Sequence, residues 1–310
     1  MTLHDEPTFA TEVVVLDPDS GSDGPSISLQ LMSDPRHDGL ARPVILVLGA
    51  PEEPPFWSEN LLADGHLLVG ISVAREPDPD PERRPVFLHF DERFAHSYVI
   101  GGMHAVSDVS RVIDYLETRP DVNPRKIGWL GSSSSAIPAL SAAVREPRLA
   151  ALVGFVATGA YRSWFESWHT HGLWGGVGAD IWRETDELLK TVDPVLRAPG
   201  LWPTATLLVS GGEDTVVDPA TTEEFVAAAR PAFVADPARL RHVIYTGMGH
   251  NLPADAMVMH AESWFRRYLH PTNPPPSPEP MPETLSASVA ATQVTGADHS
   301  TLVGADVDPS

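Results

Sequence analysis

The stretch that decides the fold is Lys126–Leu140, with the sequence KIGWLGSSSSAIPAL. Its short apolar run, Ile127–Leu130, is typical of a buried β-strand. Gly131 interrupts that run, four serines follow, and small and apolar residues then recur at helical spacing over Ala136–Val144. A strand that turns sharply into a helix with a serine at its tip is a nucleophile elbow, in which the residues that flank the serine are small because the turn is strained.

The four serines differ in the size of the residues that stand two positions away. Ser133 has Gly131 before it and Ser135 after it, and both are small, whereas Ser132 and Ser135 would each place a large side chain at one of these positions. Ser134 meets the size requirement but lies one residue further from the end of the strand. We therefore predict that Ser133 is the nucleophile and keep Ser134 as the alternative. A serine in place of the usual second glycine lowers the specificity of the motif, since a serine-rich loop of this kind can also be only a helix N-cap.

An activated serine needs a base and a third group that orients the base. Downstream, the predicted strand Leu207–Ser210 ends in two glycines, and Glu213, Asp214 and Asp218 follow. Carboxylates just past the carboxyl end of a parallel strand lie at the edge where such sheets carry out chemistry. Asp218 precedes a proline suited to the first helical position, which predicts an N-cap. We predict Asp214 as the acid, with the orientation of Glu213 left open.

The predicted base is His250, in the loop YTGMGHNLP between a strand and a helix. His242 lies at the start of a strand and His260 lies inside a helix, so neither is well placed. The order serine, aspartate, histidine, each after a strand, matches the arrangement of a known class of hydrolase triads.

Strands alternate with helices along the chain, which predicts a mostly parallel sheet of about eight strands with helices on both faces. Residues 8–16 and 26–32 are expected to open the sheet as an antiparallel hairpin. We expect one α/β domain over residues 1–270. Residues 271–310 are rich in Pro, Ser, Thr and Ala and contain no Lys or Arg, so we predict a disordered acidic tail.

Residues 160–200 are too long for a simple crossover and are rich in aromatic side chains. We predict a small cap-like insertion in which Trp164, Trp168 and Trp174 bind substrate by apolar area. The alternative is a helical pair whose tryptophans pack on the body. Trp57, in the loop after the third strand, is a further predicted substrate-binding residue.

Composition excludes several classes of function. The net charge is −21, from 21 Lys and Arg against 42 Asp and Glu, which argues against nucleic acid or an anionic membrane as a partner. There is no cysteine, and therefore no disulfide, cysteine nucleophile or thiolate metal site. The histidines lack a ligand spacing and no phosphate-binding glycine loop is present, so we expect neither metal nor cofactor. Without a signal segment or a long apolar run, a cytoplasmic protein is expected, and a homodimer is compatible with the sequence.

Taken together, Pro43–His250 resembles the α/β-hydrolase superfamily. Within it, DYLETRPDVNPRKIGWLGSSS, Asp114–Ser134, looks like the bacterial branch that contains dienelactone-hydrolase-like and acetyl-xylan-esterase-like serine esterases. The sequence departs from that branch at Ser135 and at Leu48-Gly49, where many relatives have His-Gly. Dienelactone hydrolases proper use a cysteine, which is absent here, so that activity is not carried over.

The resemblance implies acyl transfer through a covalent intermediate. Ser133 would attack a carbonyl, His250 would accept its proton, and Asp214 would orient the imidazole. The backbone N–H groups of Ser134 and Ala50 would form the oxyanion hole. We expect a serine hydrolase for a small-to-medium carboxylic ester, with an acyltransferase or thioesterase as the alternative enzyme. A non-catalytic ligand-binding protein with the same fold is the alternative of another class.

Overall fold

The structure is a computed structural model that describes residues 9–18, 25–49, 58–75, 80, 90–175 and 179–270. Ala50, Trp57 and the predicted tail at 271–310 lie outside the described residues.

The sheet has eight strands in the order β1-β2-β4-β3-β5-β6-β7-β8. The first two strands form an antiparallel hairpin, β2 pairs antiparallel with β4, and every other pairing is parallel. The predicted α/β-hydrolase architecture is therefore confirmed, including the antiparallel hairpin at one edge. The strands are β1 (Ala10–Leu16), β2 (Ile27–Ser33), β3 (Arg42–Leu48), β4 (Leu67–Val73), β5 (Val122–Ser132), β6 (Leu149–Phe155), β7 (Ala205–Gly211) and β8 (Leu240–Tyr245).

The helices connect these strands and cover both faces of the sheet. The longest is capped by Asp91, whose carboxylate accepts a hydrogen bond from Phe94 N at 3.0 Å. It ends at Glu117, three residues before Pro120, as the rule for residues before proline predicts. The described helices are α1 (Glu59–Ala63), α2 (Glu92–Glu117), α3 (Ile137–Ala143), α4 (Tyr161–Thr170), α5 (Ala179–Val192), α6 (Pro219–Ala229) and α7 (Ala254–Leu269).

The core consists of two apolar layers, one on each face of the sheet. Side chains of α1 and α7 pack on one face, and side chains of α2 to α6 pack on the other. Strand β3 supplies both layers in alternation, because Val44 and Leu46 face the larger layer and Ile45 and Val47 face the smaller one. Burial of each such side chain is worth about 1.5–3 kcal/mol. This packing fixes the strands, and with them the edge at which the loops after β5, β7 and β8 meet.

The insertion predicted at 160–200 contains α4 and α5, which pack on the body. The carboxylate of Asp193, beyond the end of α5, caps the start of α4 by accepting hydrogen bonds from Tyr161 N and Arg162 N, each at 3.0 Å. On the other side, Thr185 of α5 lies 3.0 Å from His96 Nδ1 of α2. The two helices are thereby tied to each other and to α2. Across the described ranges, no helix has both the length and the apolar character needed to span a membrane.

Candidate active site

The turn between β5 and α3 holds Ser133 in a strained backbone conformation. Its φ is +49°, in the left-handed region that costs a non-glycine residue about 1–2 kcal/mol. Ser133 begins a short 3-10 turn that ends at Ser135, directly after the strand. Gly131 is required beneath this turn, because a Cβ there would lie 2.8 Å from backbone atoms of Ser135 and Ala136. The local geometry is that of the predicted elbow.

Ser135, which occupies the position of the usual second glycine, has its own structural role. Its hydroxyl accepts a hydrogen bond from Ser132 N at 2.8 Å and donates one to Ser132 O at 2.9 Å. The side chain therefore closes the turn on the strand that precedes it. The departure from the motif is compatible with the elbow because the Ser135 side chain folds back onto the backbone.

Three predicted side chains meet at the carboxyl edge of the sheet. His250 Nε2 lies 3.0 Å from Ser133 Oγ, and His250 Nδ1 lies 2.8 Å from Asp214 Oδ2. The Asp214 carboxylate is fully buried, and its other oxygen accepts hydrogen bonds from Val216 N at 2.9 Å and Val217 N at 3.0 Å. Because Nδ1 faces a carboxylate, it carries the proton, and Nε2 is left to accept the Ser133 hydroxyl proton.

The loops after β7 and β8 are held together by their backbones, which fixes the spacing of Asp214 and His250. Glu213 N donates to Met248 O at 2.7 Å. At Gly211 the chains approach so closely that a Cβ would lie 2.1 Å from Gly249 O, so that only glycine is accommodated. Asp214 and His250 are thus positioned by a contact between two neighbouring strand ends.

Two of the predicted substrate-binding tryptophans lie in the core instead of facing open space. Trp164 and Trp168 of α4 are 2% and 0% exposed, and both indole N–H groups donate to Val216 O, at 2.7 and 3.0 Å. The same Val216 donates its N–H to the Asp214 carboxylate. The two indoles therefore hold the backbone of the loop that carries Asp214, and their burial corrects the expectation that they contact substrate.

Trp174 is partly exposed at the surface of the insertion. Its ring stacks on His169 with centroids 4.4 Å apart and meets Trp182 edge-on at 5.4 Å. It also lies beside Phe90, whose carbonyl accepts a hydrogen bond from Gly175 N at 2.8 Å. Of the four predicted substrate-binding residues, Trp174 is the one that the structure leaves accessible within its described part.

Ser134, the predicted oxyanion donor, is exposed and lies in the first turn after the strand, where N–H groups have no acceptor within the helix. Its side chain shares a hydrogen bond with Tyr98 of α2, a residue that the sequence analysis did not single out. Tyr98 packs edge-on against Trp164 with ring centroids 5.1 Å apart. Burial raises the pKa of Tyr98 to about 12, and the hydrogen bond with Ser134 opposes that rise. The only sequence signal was its position next to Val99 on the apolar face of α2.

The alternative acids and bases have other partners. Asp218 caps α6, as predicted, by accepting a hydrogen bond from Ala220 N at 2.9 Å, and Glu213 is exposed. His260 is buried against the Tyr245 hydroxyl at 2.8 Å, and burial lowers its pKa to about 4.

His242 lies in a second set of a serine, a histidine and a carboxylate. Its ring nitrogens lie 3.0 Å from Ser210 Oγ and 3.0 Å from Glu223 Oε2, but Ser210 is completely buried in β7. Among the described residues, no group of three His, Asp or Glu side chains is placed to hold a metal.

The model of the prolyl oligopeptidase family matches residues 94–271, which is more than half of the chain and includes Ser133, Asp214 and His250. The chain belongs to the prolyl oligopeptidase family. Members are serine hydrolases with the α/β-hydrolase fold that the sheet order shows. No match was found among curated protein sequences.

Solved structures share the fold of this family member at low sequence identity. A putative dipeptidyl aminopeptidase IV from Bacteroides ovatus is 16% identical, with a TM-score of 0.59 over 86% of this chain and 37% of its own. The Pyrococcus horikoshii acylaminoacyl peptidase is 15% identical, with a TM-score of 0.56 over 84% and 40%. A cold-adapted esterase from an Arctic intertidal metagenomic library is 16% identical, with a TM-score of 0.55 over 84% and 94%. The chain therefore spans about two-fifths of the length of these peptidases and nearly the whole of the esterase.

Proposed function

We propose that the protein is a serine esterase that cleaves a small-to-medium carboxylic ester through an acyl-enzyme. The observation that carries this proposal is the pair of hydrogen bonds that joins Ser133 to His250 at 3.0 Å and His250 to Asp214 at 2.8 Å. The strained φ of Ser133 supports it, since strain of this kind collects at functional sites. The three side chains would form the catalytic triad.

In the acylation step, Ser133 Oγ attacks the carbonyl carbon and its proton passes to His250 Nε2. The buried Asp214 carboxylate accepts a hydrogen bond from Nδ1 and stabilises the imidazolium. Collapse of the tetrahedral intermediate breaks the ester bond, and the departing alcohol takes the proton from His250. Water then repeats the sequence on the acyl-enzyme, which releases the acid and restores the Ser133 hydroxyl.

The negative charge on the carbonyl oxygen needs donors that are already in place. We assign one to the Ser134 N–H at the start of the turn, where a donor of this kind typically contributes about 3 kcal/mol to transition-state stabilisation. The second donor is proposed at Ala50. On the substrate side, Trp174 is proposed as an apolar contact because it is accessible, and Trp57 is proposed with it.

Ester hydrolysis is favoured over other acyl transfers by two observations. The esterase neighbour is matched over 94% of its length, whereas the two peptidase neighbours are matched over 37% and 40% of theirs. The elbow region also resembles the dienelactone-hydrolase-like and acetyl-xylan-esterase-like branch. Peptide hydrolysis is the second candidate, because the family and several structural neighbours are named as peptidases. A thioesterase or acyltransferase would use the same acyl-enzyme.

The proposal is tested by labelling the protein with a fluorophosphonate and identifying the modified residue by mass spectrometry. We expect the label on Ser133, its loss in Ser133→Ala, and its retention in Ser134→Ala. Labelling of Ser134 would shift the register by one residue, and no labelling of a folded protein would favour a binding function.

Turnover is then compared on p-nitrophenyl acetate, butyrate and octanoate and on an acylated peptide p-nitroanilide. Faster turnover of the esters supports an esterase. A higher kcat/KM for the anilide would identify a peptidase.

A further inference from the structure

A second concave site lies on the α2 side of the sheet, and none of Ser133, Asp214 or His250 lines it. It is a cavity of about 210 Å³ between α2, α3 and the two ends of the insertion, here called the α2/α3 cavity. Its apolar wall consists of Val99, Met103, Val106 and Val192. Met103 is 40% exposed, so the cavity is accessible from solvent at this point.

One wall of the α2/α3 cavity is fixed by a buried hydrogen-bond network. Tyr161 donates its hydroxyl to Ile137 O at 3.0 Å and accepts from Ser141 Oγ at 2.8 Å. Gly102 of α2 lies against this pair, since a Cβ there would be 2.7 Å from Ser141 Oγ. The wall is therefore pre-formed, and its hydroxyl groups already have partners.

Among the described residues that line the cavity, only Arg145 carries a charge. Its guanidinium donates to Ser141 O at 3.3 Å, which occupies one of the five N–H donors of an arginine. In the described part of this strongly acidic chain, neither Arg145 nor the nearby Arg197 forms an ion pair with a carboxylate. Burial and the positive charge of Arg197 both lower the pKa of Arg145.

We propose that the α2/α3 cavity binds a small monocarboxylate with a short hydrocarbon chain. The carboxylate would accept two parallel hydrogen bonds from the Arg145 guanidinium, the arrangement that matches the shape of both groups. The hydrocarbon chain would lie against Val99, Val106 and Val192. Pockets of this type, mostly apolar with few convergent polar groups, are typical binding sites for small molecules. The inference does not depend on the proposed esterase activity.

Binding is measured by titration calorimetry on the full chain carrying Ser133→Ala, so that the proposed catalytic serine cannot contribute. Hexanoate is the probe. Hexanol and hexylamine are comparison ligands that keep the hydrocarbon chain but lack the negative charge, and acetate keeps the charge but lacks the chain. A hydrogen-bonded charge in a partly buried site is worth about tenfold or more in affinity, so hexanoate should bind at least that much more tightly than each of the others.

Two variants locate the site. Arg145→Met keeps the apolar stem but removes the charge, and should weaken hexanoate binding about tenfold or more. Arg183→Met is the matched control, because Arg183 is 73% exposed on α5 and pairs with Asp180 at 2.9 Å. Val106→Phe should fill the cavity and prevent binding without removing any charge.

Several outcomes would overturn the proposal. The first two are equal affinity for hexanoate and hexanol, and no binding of hexanoate to the folded protein. The others are hexanoate affinity that is unchanged in Arg145→Met or in Val106→Phe, or that falls as much in Arg183→Met as in Arg145→Met. If Arg145→Met does not fold, the hexanoate affinity of Val106→Phe decides whether the ligand binds in the α2/α3 cavity.

Discussion

Replacing Asp214 by Asn tests the proposed triad with the smallest change of shape. The Asp214 Oδ1 atom accepts two backbone hydrogen bonds, from Val216 N and Val217 N, whereas Oδ2 faces His250 Nδ1 at 2.8 Å. An Asn carbonyl can keep the two backbone donors only if its NH2 group faces the histidine. The opposite orientation would direct that NH2 group at two N–H donors in a buried site.

The NH2 group can only donate, so His250 Nδ1 must accept, and the ring proton moves to Nε2. In that tautomer Nε2 can no longer take the proton of Ser133, 3.0 Å away. Loss of the correct tautomer in a serine triad costs about 10⁴-fold in kcat, which corresponds to about 5.4 kcal/mol in the activation barrier. The melting temperature should change little, because the hydrogen bonds that hold the loop remain.

The assay is steady-state hydrolysis of p-nitrophenyl acetate, with thermal unfolding followed by circular dichroism on the same samples. Asp218→Asn and Glu213→Gln are the matched controls, since they remove a carboxylate from the same loop without facing His250. Asn at 218 can also still cap α6. The reasoning is refuted if a folded Asp214→Asn keeps more than about a tenth of the kcat or if a control loses as much activity.

Gly131→Ala should abolish most esterase activity, because the added Cβ would lie 2.8 Å from backbone atoms of the elbow. Gly101→Ala is the control and should keep its activity, since a Cβ there has no atom within 4 Å. Equal kcat values in the two variants would contradict the elbow geometry. Burial lowers the pKa of His66 and His260 to about 4 from 6.5, so the unfolded chain binds protons that the native chain does not. The free energy of unfolding should therefore fall by about 1.3 kcal/mol per histidine between about pH 7.5 and about pH 5.5, as measured by urea denaturation, and a flat profile would be contrary evidence. Ser210→Ala should leave fluorophosphonate labelling unchanged and lower stability by about 1–3 kcal/mol, and loss of labelling in the folded variant would argue against Ser133.

The features that could be predicted from the sequence are those carried by local patterns. Apolar runs and helical spacing placed the strands and helices, and turn chemistry identified Asp218 as a helix cap. The order of Ser133, Asp214 and His250 along the chain was sufficient to bring them together, because parallel strands deliver the loops after their carboxyl ends to the same edge.

The features that could not be predicted depend on which polar atoms form hydrogen bonds with each other when their residues are far apart in the sequence. The aromatic content of α4 indicated apolar contact, but periodicity does not show that two indole N–H groups meet one carbonyl. That carbonyl, Val216 O, lies 52 and 48 residues along the chain from Trp164 and Trp168. The contact of Tyr98 with Ser134 joins two elements in the same way. Ser135 was interpreted only as a departure from the motif because the direction of its hydroxyl depends on the folded turn.

The two Ser–His–carboxylate sets show why hydrogen-bond distances alone do not define an active site. In the set around His242, the serine is sealed inside β7 and the carboxylate of Glu223 is 43% exposed. In the set around His250, the carboxylate is fully buried and the serine lies on a turn that solvent reaches. The first arrangement satisfies buried polar groups and leaves no path for a substrate. The second exposes the serine and places the carboxylate where water does not screen its charge. We therefore base the proposed triad on which of its groups is buried and which is exposed, as well as on the hydrogen-bond distances.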